Sequence, residues 1–173
     1  MSNFNELDHR ISNYLRVAEK PGLIRGIATI FAHSGDSWIC LAITFLIWYF
    51  GDPDWKYRMI MIGIAFIAAA LVVMIIKFIV RRKRPEGEWG GMYRKADPYS
   101  FPSGHAARGL LIGIVALGLG PLWFGIILII WGPLVGIARI AMGVHYVSDV
   151  IAGWVVGGIL GIIGLQVIPL LLN

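Results

Sequence analysis

Charged residues and cysteine are both scarce in this sequence. Only 14% of the 173 residues are charged, whereas 58% are hydrophobic. Because small folds keep much of their surface in water, one small soluble domain cannot bury that much apolar side chain. The composition therefore excludes an ordinary soluble domain and indicates a chain that lies in lipid. The single cysteine, Cys40, excludes a disulfide within the chain.

Positive charge is present but modest, with a formal net charge of +5. The lysines and arginines occur in clusters rather than along one solvated face, which argues against nucleic acid as a partner and favours anionic lipid or phosphate. The first 20 residues lack the apolar centre of a cleaved signal peptide. Their apolar residues recur at intervals of three and four, which predicts an amphipathic helix on the membrane surface or packed on the bundle.

Long apolar runs predict the membrane helices, since about 20 such residues cross the hydrocarbon of a bilayer. Four such runs are clear. A fifth, from Ile27 to Phe50, carries polar residues in its first half and predicts either one interrupted span or a short helical hairpin. We therefore expect an all-α bundle of five or six membrane helices in one domain, residues 1–173. The four clear runs are Tyr57 to Val80, His105 to Leu119, Leu122 to Met142 and Val147 to Leu172.

A long polar connection, residues 81–102, interrupts the bundle, and a loop of that length in a small protein is usually functional. Lys77 and Arg84 flank its start and would share a helical face if the helix continued to Arg84. Glu86, Glu88 and Asp97 are scattered in the loop, so we expect them to solubilise it rather than to bind a metal. No metal or other cofactor is predicted.

Two more polar clusters stand at the ends of apolar runs. Ser103, Gly104 and His105 begin one run, where free N–H groups and the helix dipole can bind an anion. Ser103 could equally be an ordinary helix cap. At the other cluster, His145 and Asp149 are four residues apart, so the carboxylate can orient the imidazole.

Arg139 belongs to the second of these clusters, and the order of the runs puts all three clusters on one side of the membrane. Taken singly, each has an ordinary explanation, such as a contact with lipid headgroups. Together they supply cations, N–H donors, two imidazoles and a carboxylate, which is the set that phosphoryl transfer needs. Arg108, on the same helical face as His105, could bind a second phosphate or a headgroup, or could be an ordinary snorkelling arginine.

These residues give the sequence a close resemblance to the type 2 phosphatidic acid phosphatases, a family that shares its fold and phosphate pocket with vanadium haloperoxidases and glucose-6-phosphatase. The family's first motif, Lys, six residues, Arg-Pro, stands here as Lys77 to Pro85, and its Pro-Ser-Gly-His motif as Pro102 to His105. Its third motif is matched by Arg139, His145 and Asp149, with Ala138 where the family usually has serine.

The resemblance implies a metal-independent phosphatase for lipid phosphates or diphosphates. His145 would attack phosphorus to form a phosphohistidine, Asp149 would hold its ring, and His105 would protonate the leaving group and then activate water. The phosphate oxygens would be bound by Lys77, Arg84, Ser103, Gly104 and Arg139.

Polyprenyl diphosphate, such as undecaprenyl diphosphate, is the leading substrate, followed by phosphatidate and phosphatidylglycerol phosphate. Rival hypotheses are a haloperoxidase, whose known forms are soluble, and a lipid or phosphate carrier that has kept only the pocket. The cell membrane of a bacterium or archaeon is the expected location, with an extracytoplasmic site as in most bacterial relatives. Oligomeric state is not readable from the sequence.

Overall fold

The computed structural model describes residues 3–87 and 89–172, and its regular secondary structure over those residues consists of α-helices. Each of the four clear apolar runs forms one helix, as predicted. In chain order the helices are α1 (Asn3–Leu15), α2 (Leu23–Ser34), α3 (Ser37–Phe50), α4 (Pro53–Val80), α5 (Gly91–Ala96), α6 (Gly104–Leu119), α7 (Leu122–Ala141) and α8 (Val147–Leu172).

The helices have the length and surface of an integral membrane protein. Among the described residues, α4, α7 and α8 are long and apolar enough to cross a bilayer, α2 and α3 together form a fourth, bent candidate, and α6 is a shorter apolar helix. Large apolar side chains such as Leu71, Ile130 and Ile159 are exposed, whereas polar ones such as Arg139 and Asp149 are fully buried. This arrangement is stable where the surrounding solvent is lipid.

The uncertain fifth run forms two helices rather than one. α2 and α3 meet at a break of two residues with a bend of 61°. Gly35 lies in the break, and a Cβ atom there would come within 2.5 Å of Val135 Cγ1 and 3.2 Å of His105 Cδ2. A glycine at this position therefore lets the break press against α6 and α7.

α6 lies at the centre of the bundle and packs closely on α7 and α8. A Cβ atom on Gly132 would lie 2.4 Å from the carbonyl oxygen of Gly109, and one on Gly157 would lie 2.1 Å from that of Ala107. Only glycine fits these two contacts, so backbone meets backbone, as small residues allow between helices in lipid. This close packing fixes the start of α6 beside the start of α8.

The helix that contains Lys77 does not continue to Arg84, so the two residues do not share a helical face. α4 stops at Val80, and Arg81 takes a left-handed conformation with φ of 52°. The loop then pairs with itself, since the Ser100 amide donates to the Arg82 carbonyl at 2.8 Å. These pairings replace the helical hydrogen bonds, and Lys77 and Arg84 meet through the loop instead of along a helix.

α1 turns a polar face toward the protein. Its apolar residues Phe4, Leu7 and Tyr14 are exposed, whereas Asp8 and Ser12 are buried against the first turn of α8. The Asp8 carboxylate accepts from the Ser148 amide at 3.1 Å, and the Ser12 hydroxyl accepts from the Val147 amide at 3.0 Å. α1 thus supplies capping groups for the free amides of α8.

Candidate active site

The predicted site residues converge on one cavity of about 390 Å³ at the end of the bundle where the long loop lies. Six of the nine predicted residues line it, and three lie behind its wall. Those on the wall are Lys77, Arg84, Gly104, His105, Arg108 and His145, and Asp36, Tyr93 and Asp97 line it with them. The predicted residues behind the wall are Ser103, Arg139 and Asp149.

Asp97 lies between the two cations of the first motif. Its Oδ2 accepts from Lys77 Nζ at 2.8 Å and from Arg84 Nη2 at 2.7 Å. The prediction that this carboxylate only solubilises the loop is therefore wrong, because two buried cations attract it. Glu88, grouped with it in that prediction, lies outside the described residues.

His145 is held in one tautomer by its neighbours. Arg84 Nη1 lies 3.0 Å from His145 Nε2, and because a guanidinium only donates, Nε2 must accept and carry a lone pair. The ring proton of the neutral imidazole then sits on Nδ1, which faces Asp149 Oδ2 at 3.6 Å. That distance is too long for the hydrogen bond that the i, i+4 spacing predicted, since His145 precedes the first residue of α8.

Burial and charge keep this imidazole neutral. His145 is 1% exposed, and burial, together with Arg84, Arg139 and Lys77, holds the pKa of His145 well below its usual range. A neutral ring with its Nε2 lone pair facing a cluster of cations can act as a nucleophile toward an anion bound there.

Asp149 is fixed by contacts that sequence analysis did not identify. Its Oδ2 accepts from the Tyr146 amide at 2.9 Å and its Oδ1 from Arg82 Nη1 at 2.8 Å. Arg82 also donates to Asp8 Oδ2 at 2.7 Å, and its guanidinium stacks 4.1 Å from the ring centroid of Tyr146. The network therefore links α1 to the carboxylate behind His145.

Arg139 is a buried cation with few partners. It is fully buried, its Nη1 donates to the Ala32 carbonyl at 3.3 Å, and its guanidinium lies 4.1 Å from the ring centroid of Tyr93. Within residues 3–87 and 89–172, its Nε and Nη2 have no hydrogen-bond acceptor. Unsatisfied buried donors are costly, so this side chain is suited to an anion that would take those bonds.

Ser103 and Gly104 form the N-terminus of α6. The Ser103 hydroxyl accepts from the Ala106 amide at 3.4 Å, and the Ser103 amide donates to the Asp149 carbonyl at 2.9 Å. The Ser103 side chain therefore caps α6, which is the second of the two interpretations that the sequence allows. A phosphate contact from Ser103 stays a prediction, whereas Gly104 lines the cavity.

His105 has a carboxylate partner that the sequence analysis missed. Its Nε2 lies 2.9 Å from Asp36 Oδ1, and Asp36 also accepts from the Tyr93 hydroxyl at 2.9 Å and contacts His33 Nδ1 at 3.0 Å. A signal was available, because a carboxylate inside an apolar run needs a reason to be there. The polar residues of that run were noted only as an interruption of a span.

Metal-ligand clusters are not found among the described residues: no group of three His, Cys, Asp or Glu side chains comes together there. The carboxylates at the site are instead occupied by arginine, lysine, tyrosine and histidine donors. The donor set of the cavity is thus suited to an anion.

The sequence of this chain is similar to those of known proteins. The model of the PAP2 superfamily matches residues 58–171. An undecaprenyl-diphosphatase of Sulfolobus acidocaldarius is 28% identical over 95% of this chain and 78% of its own length. A decaprenylphosphoryl-5-phosphoribose phosphatase of Mycobacterium tuberculosis is 32% identical over 85% of this chain and 81% of its own length.

Two crystal structures have the same fold. A PAP2-type phosphatidylglycerolphosphate phosphatase from Bacillus subtilis aligns with a TM-score of 0.76 at 23% identity, over 95% of this chain and 85% of that one. LpxE of Aquifex aeolicus aligns with a TM-score of 0.74 at 24% identity, over 92% and 95%. With the family model covering the chain from α4 to α8, and with the family's motifs gathered at one cavity, this chain belongs to the PAP2 superfamily.

Proposed function

We propose that the protein is a membrane phosphatase that hydrolyses the phosphate or diphosphate group of a lipid without a metal ion. The observation that carries the proposal is the state of His145: a buried neutral imidazole whose Nε2 lone pair faces the guanidinium of Arg84. A phosphate that takes over this Arg84 donor would free the lone pair and lie beside it, which is the approach that covalent catalysis needs.

The reaction proceeds in two steps through a phosphohistidine. In the first, the Nε2 lone pair of His145 bonds to phosphorus, the bond from phosphorus to the leaving oxygen breaks, and the His105 imidazolium protonates that oxygen. In the second, His105 takes a proton from water as the water attacks phosphorus and the electron pair of the N–P bond returns to His145. Asp149 stabilises the charge that develops on the His145 ring.

The phosphate oxygens are bound by Lys77, Arg84, Arg139 and the start of α6, at Ser103 and Gly104. Phosphate would take the place of the Asp97 carboxylate between Lys77 and Arg84, because both are anions that accept from the same two donors. Binding therefore requires the segment that carries Asp97 to move away from the two cations.

A diphosphate of a polyprenyl lipid is the substrate we favour, with phosphatidate and phosphatidylglycerol phosphate next. Relatives named for undecaprenyl diphosphate and for a decaprenyl-linked phosphate support this ranking. An apolar cavity of about 260 Å³ between α3, α4, α6 and α7, lined by Ile39, Cys40 and Trp131, is suited to hydrocarbon. The cell membrane, an extracytoplasmic site and an interfacial α1 are proposals that rest on the family resemblance and on the exposed apolar face of α1.

The direct test is release of phosphate in detergent with excess EDTA, from undecaprenyl diphosphate, phosphatidate and phosphatidylglycerol phosphate in separate assays. We expect release from at least one lipid to be unchanged by EDTA, and we expect the diphosphate to be hydrolysed fastest. Absence of release from all three by folded protein would favour the carrier hypothesis instead. A loss of release on adding EDTA would contradict the metal-independent mechanism.

Arg108 is the residue we expect to distinguish diphosphates from monophosphates. It lines the cavity, and among the described residues its Nε has no hydrogen-bond acceptor, so it is free to bind a second phosphate. Arg108→Gln should lower kcat/KM for the diphosphate by about 10²-fold, the effect of one charged contact made in the transition state. The same change should lower kcat/KM for phosphatidate less than threefold. Equal losses on both lipids would remove Arg108 from this role.

A further inference from the structure

Asp36 occupies a position that normally stabilises its own helix, yet its carboxylate is directed elsewhere. It is the N-cap residue of α3, and aspartate at an N-cap usually accepts from the first free amides of the helix. Here the side chain makes no such capping bond. Both carboxylate oxygens instead contact side chains at the cavity, those of Tyr93 and His105.

The surroundings fix this carboxylate firmly against the catalytic imidazole. His105 Nε2 lies 2.9 Å from Oδ1, and the Tyr93 hydroxyl lies 2.9 Å from Oδ1 and 3.1 Å from Oδ2. His33 Nδ1 contacts Oδ2 at 3.0 Å. Burial raises the pKa of Tyr93, so its hydroxyl keeps the proton that it donates to Asp36.

The backbone is shaped to bring Asp36 to this place. Gly35 comes so close to the His105 ring and to Val135 that a larger residue would push the break away from α6. The 61° bend between α2 and α3 then leaves Asp36 at the wall of the active-site cavity. Two separate features, the glycine contact and the unused cap, thus point to the same pairing.

We propose that Asp36 is a positioning residue for His105, holding the imidazole by its Nε2–H and stabilising the imidazolium that protonates the leaving group. Since a carboxylate only accepts, Nε2 carries a proton in both charge states, and Nδ1 is the nitrogen that exchanges a proton with the substrate and then with water. The site contains two histidine–aspartate pairs, His145 with Asp149 and His105 with Asp36.

This role depends on the proposed phosphatase reaction and predicts a dependence on the leaving group. Asp36→Asn keeps the size and an acceptor oxygen but removes the negative charge that favours the imidazolium. Dodecyl phosphate releases a strongly basic alkoxide that must be protonated, whereas 4-nitrophenyl phosphate releases a weakly basic phenolate that needs little help. The ratio kcat/KM reports the first step alone if formation of the phosphohistidine is irreversible.

We expect Asp36→Asn to lower kcat/KM for dodecyl phosphate by about 10²–10³-fold, the usual contribution of a general acid. For 4-nitrophenyl phosphate we expect a loss of less than about tenfold, since most of that contribution is not needed. Asp54→Asn is the control, because it makes the same chemical change on an exposed residue in the first turn of α4, at the end of that helix away from Lys77 and the cavity. It should leave both rates unchanged.

The outcomes separate this proposal from the one on which it rests. Hydrolysis by the wild type with equal losses on both esters in Asp36→Asn would assign Asp36 a merely structural role and overturn the proposal. A wild type that hydrolyses no phosphate ester, lipid or soluble, would instead overturn the proposed function. Thermal unfolding in detergent identifies a variant that has failed to fold, and Tyr93→Phe then provides a milder test, because it removes one donor to Asp36 and keeps the ring.

Discussion

His145→Gln should reduce phosphate release from the preferred lipid by about 10⁴-fold or more in kcat, the size of effect seen when a nucleophile is removed from an enzyme that acts covalently. Glutamine retains polar atoms in the space of the ring but has no lone pair able to form a stable bond to phosphorus. Lys77, Arg84 and Arg139 are unchanged in this variant and would still bind the substrate, so KM should change far less than kcat.

The covalent intermediate provides a second measurement. Wild-type protein quenched with base during turnover of a ³²P-labelled substrate should retain acid-labile, base-stable label on histidine, and His145→Gln should retain none. Label in His145→Gln, or label on another residue of the wild type, would contradict the assignment of the nucleophile. His9→Gln, on α1 with its ring 4.4 Å from the ring of Tyr146, is the matched control and should keep the label.

The pH dependence follows from the same residue. Burial and the cations Arg84, Arg139 and Lys77 hold the pKa of His145 below its ordinary value of 6.5. A nucleophile with a lowered pKa is still unprotonated as the pH falls through about 6.5, so the acid limb of kcat/KM should lie below that pH. An acid limb above it would show that the free enzyme holds His145 as an imidazolium.

Arg139→Met should make the protein more stable and much less active. The wild-type guanidinium is fully buried, and within the described part of the chain two of its nitrogens lack an acceptor. Replacing buried charged groups by apolar side chains of similar volume is often neutral or stabilises a fold by about 1–4 kcal/mol, and Arg139 has no carboxylate within ion-pair distance among the described residues. For a chain of this length, each 1 kcal/mol corresponds to roughly 2–4 °C in Tm.

Activity should move the other way, because the unused donors of Arg139 are available to the transition state. We expect kcat/KM to fall by about 10²–10³-fold, as when one donor to a developing anion is removed. A phosphate analogue such as vanadate should raise the Tm of the wild type and leave that of Arg139→Met nearly unchanged.

Arg58→Met is the matched control for this trade-off. Arg58 also donates to a single carbonyl, that of Leu119 at 3.2 Å, and lies over an aromatic ring, that of Trp55. It stands at the opposite end of the bundle and is partly exposed, so its loss should lower Tm slightly and leave activity unchanged. A decrease in Tm for Arg139→Met would show that its carbonyl and ring contacts outweigh the cost of burying the charge.

The local parts of the fold could be predicted because they depend on neighbouring residues. The four clear apolar runs became α4, α6, α7 and α8, with ends within four residues of those predicted. The motif spacings identified Lys77, Arg84, His105 and His145, all of which line one cavity. In lipid each backbone must bond within its own helix, so hydropathy alone specifies the helices.

What the sequence left open or got wrong lies where distant segments meet. Whether the helix of Lys77 continues to Arg84 was open, and the structure ends it at Val80, where Arg82 then pairs with Ser100 across the loop. Asp97 looked like a solvated loop residue because its partners, Lys77 and Arg84, are 20 and 13 residues away.

The sequence by itself determined a membrane-embedded helical bundle, its family and six residues that line the polar cavity, because periodicity and motif spacing are local properties of the chain. Only the tertiary structure decided which carboxylates pair with histidine and arginine side chains that are distant in the sequence. Asp36 reaches His105 across 69 residues and Asp8 reaches Arg82 across 74, and such contacts exist only after the helices pack at the angles that their glycines allow. Buried charges choose their partners by proximity in the folded state, since an unpaired charge in a low-dielectric interior is too costly to keep.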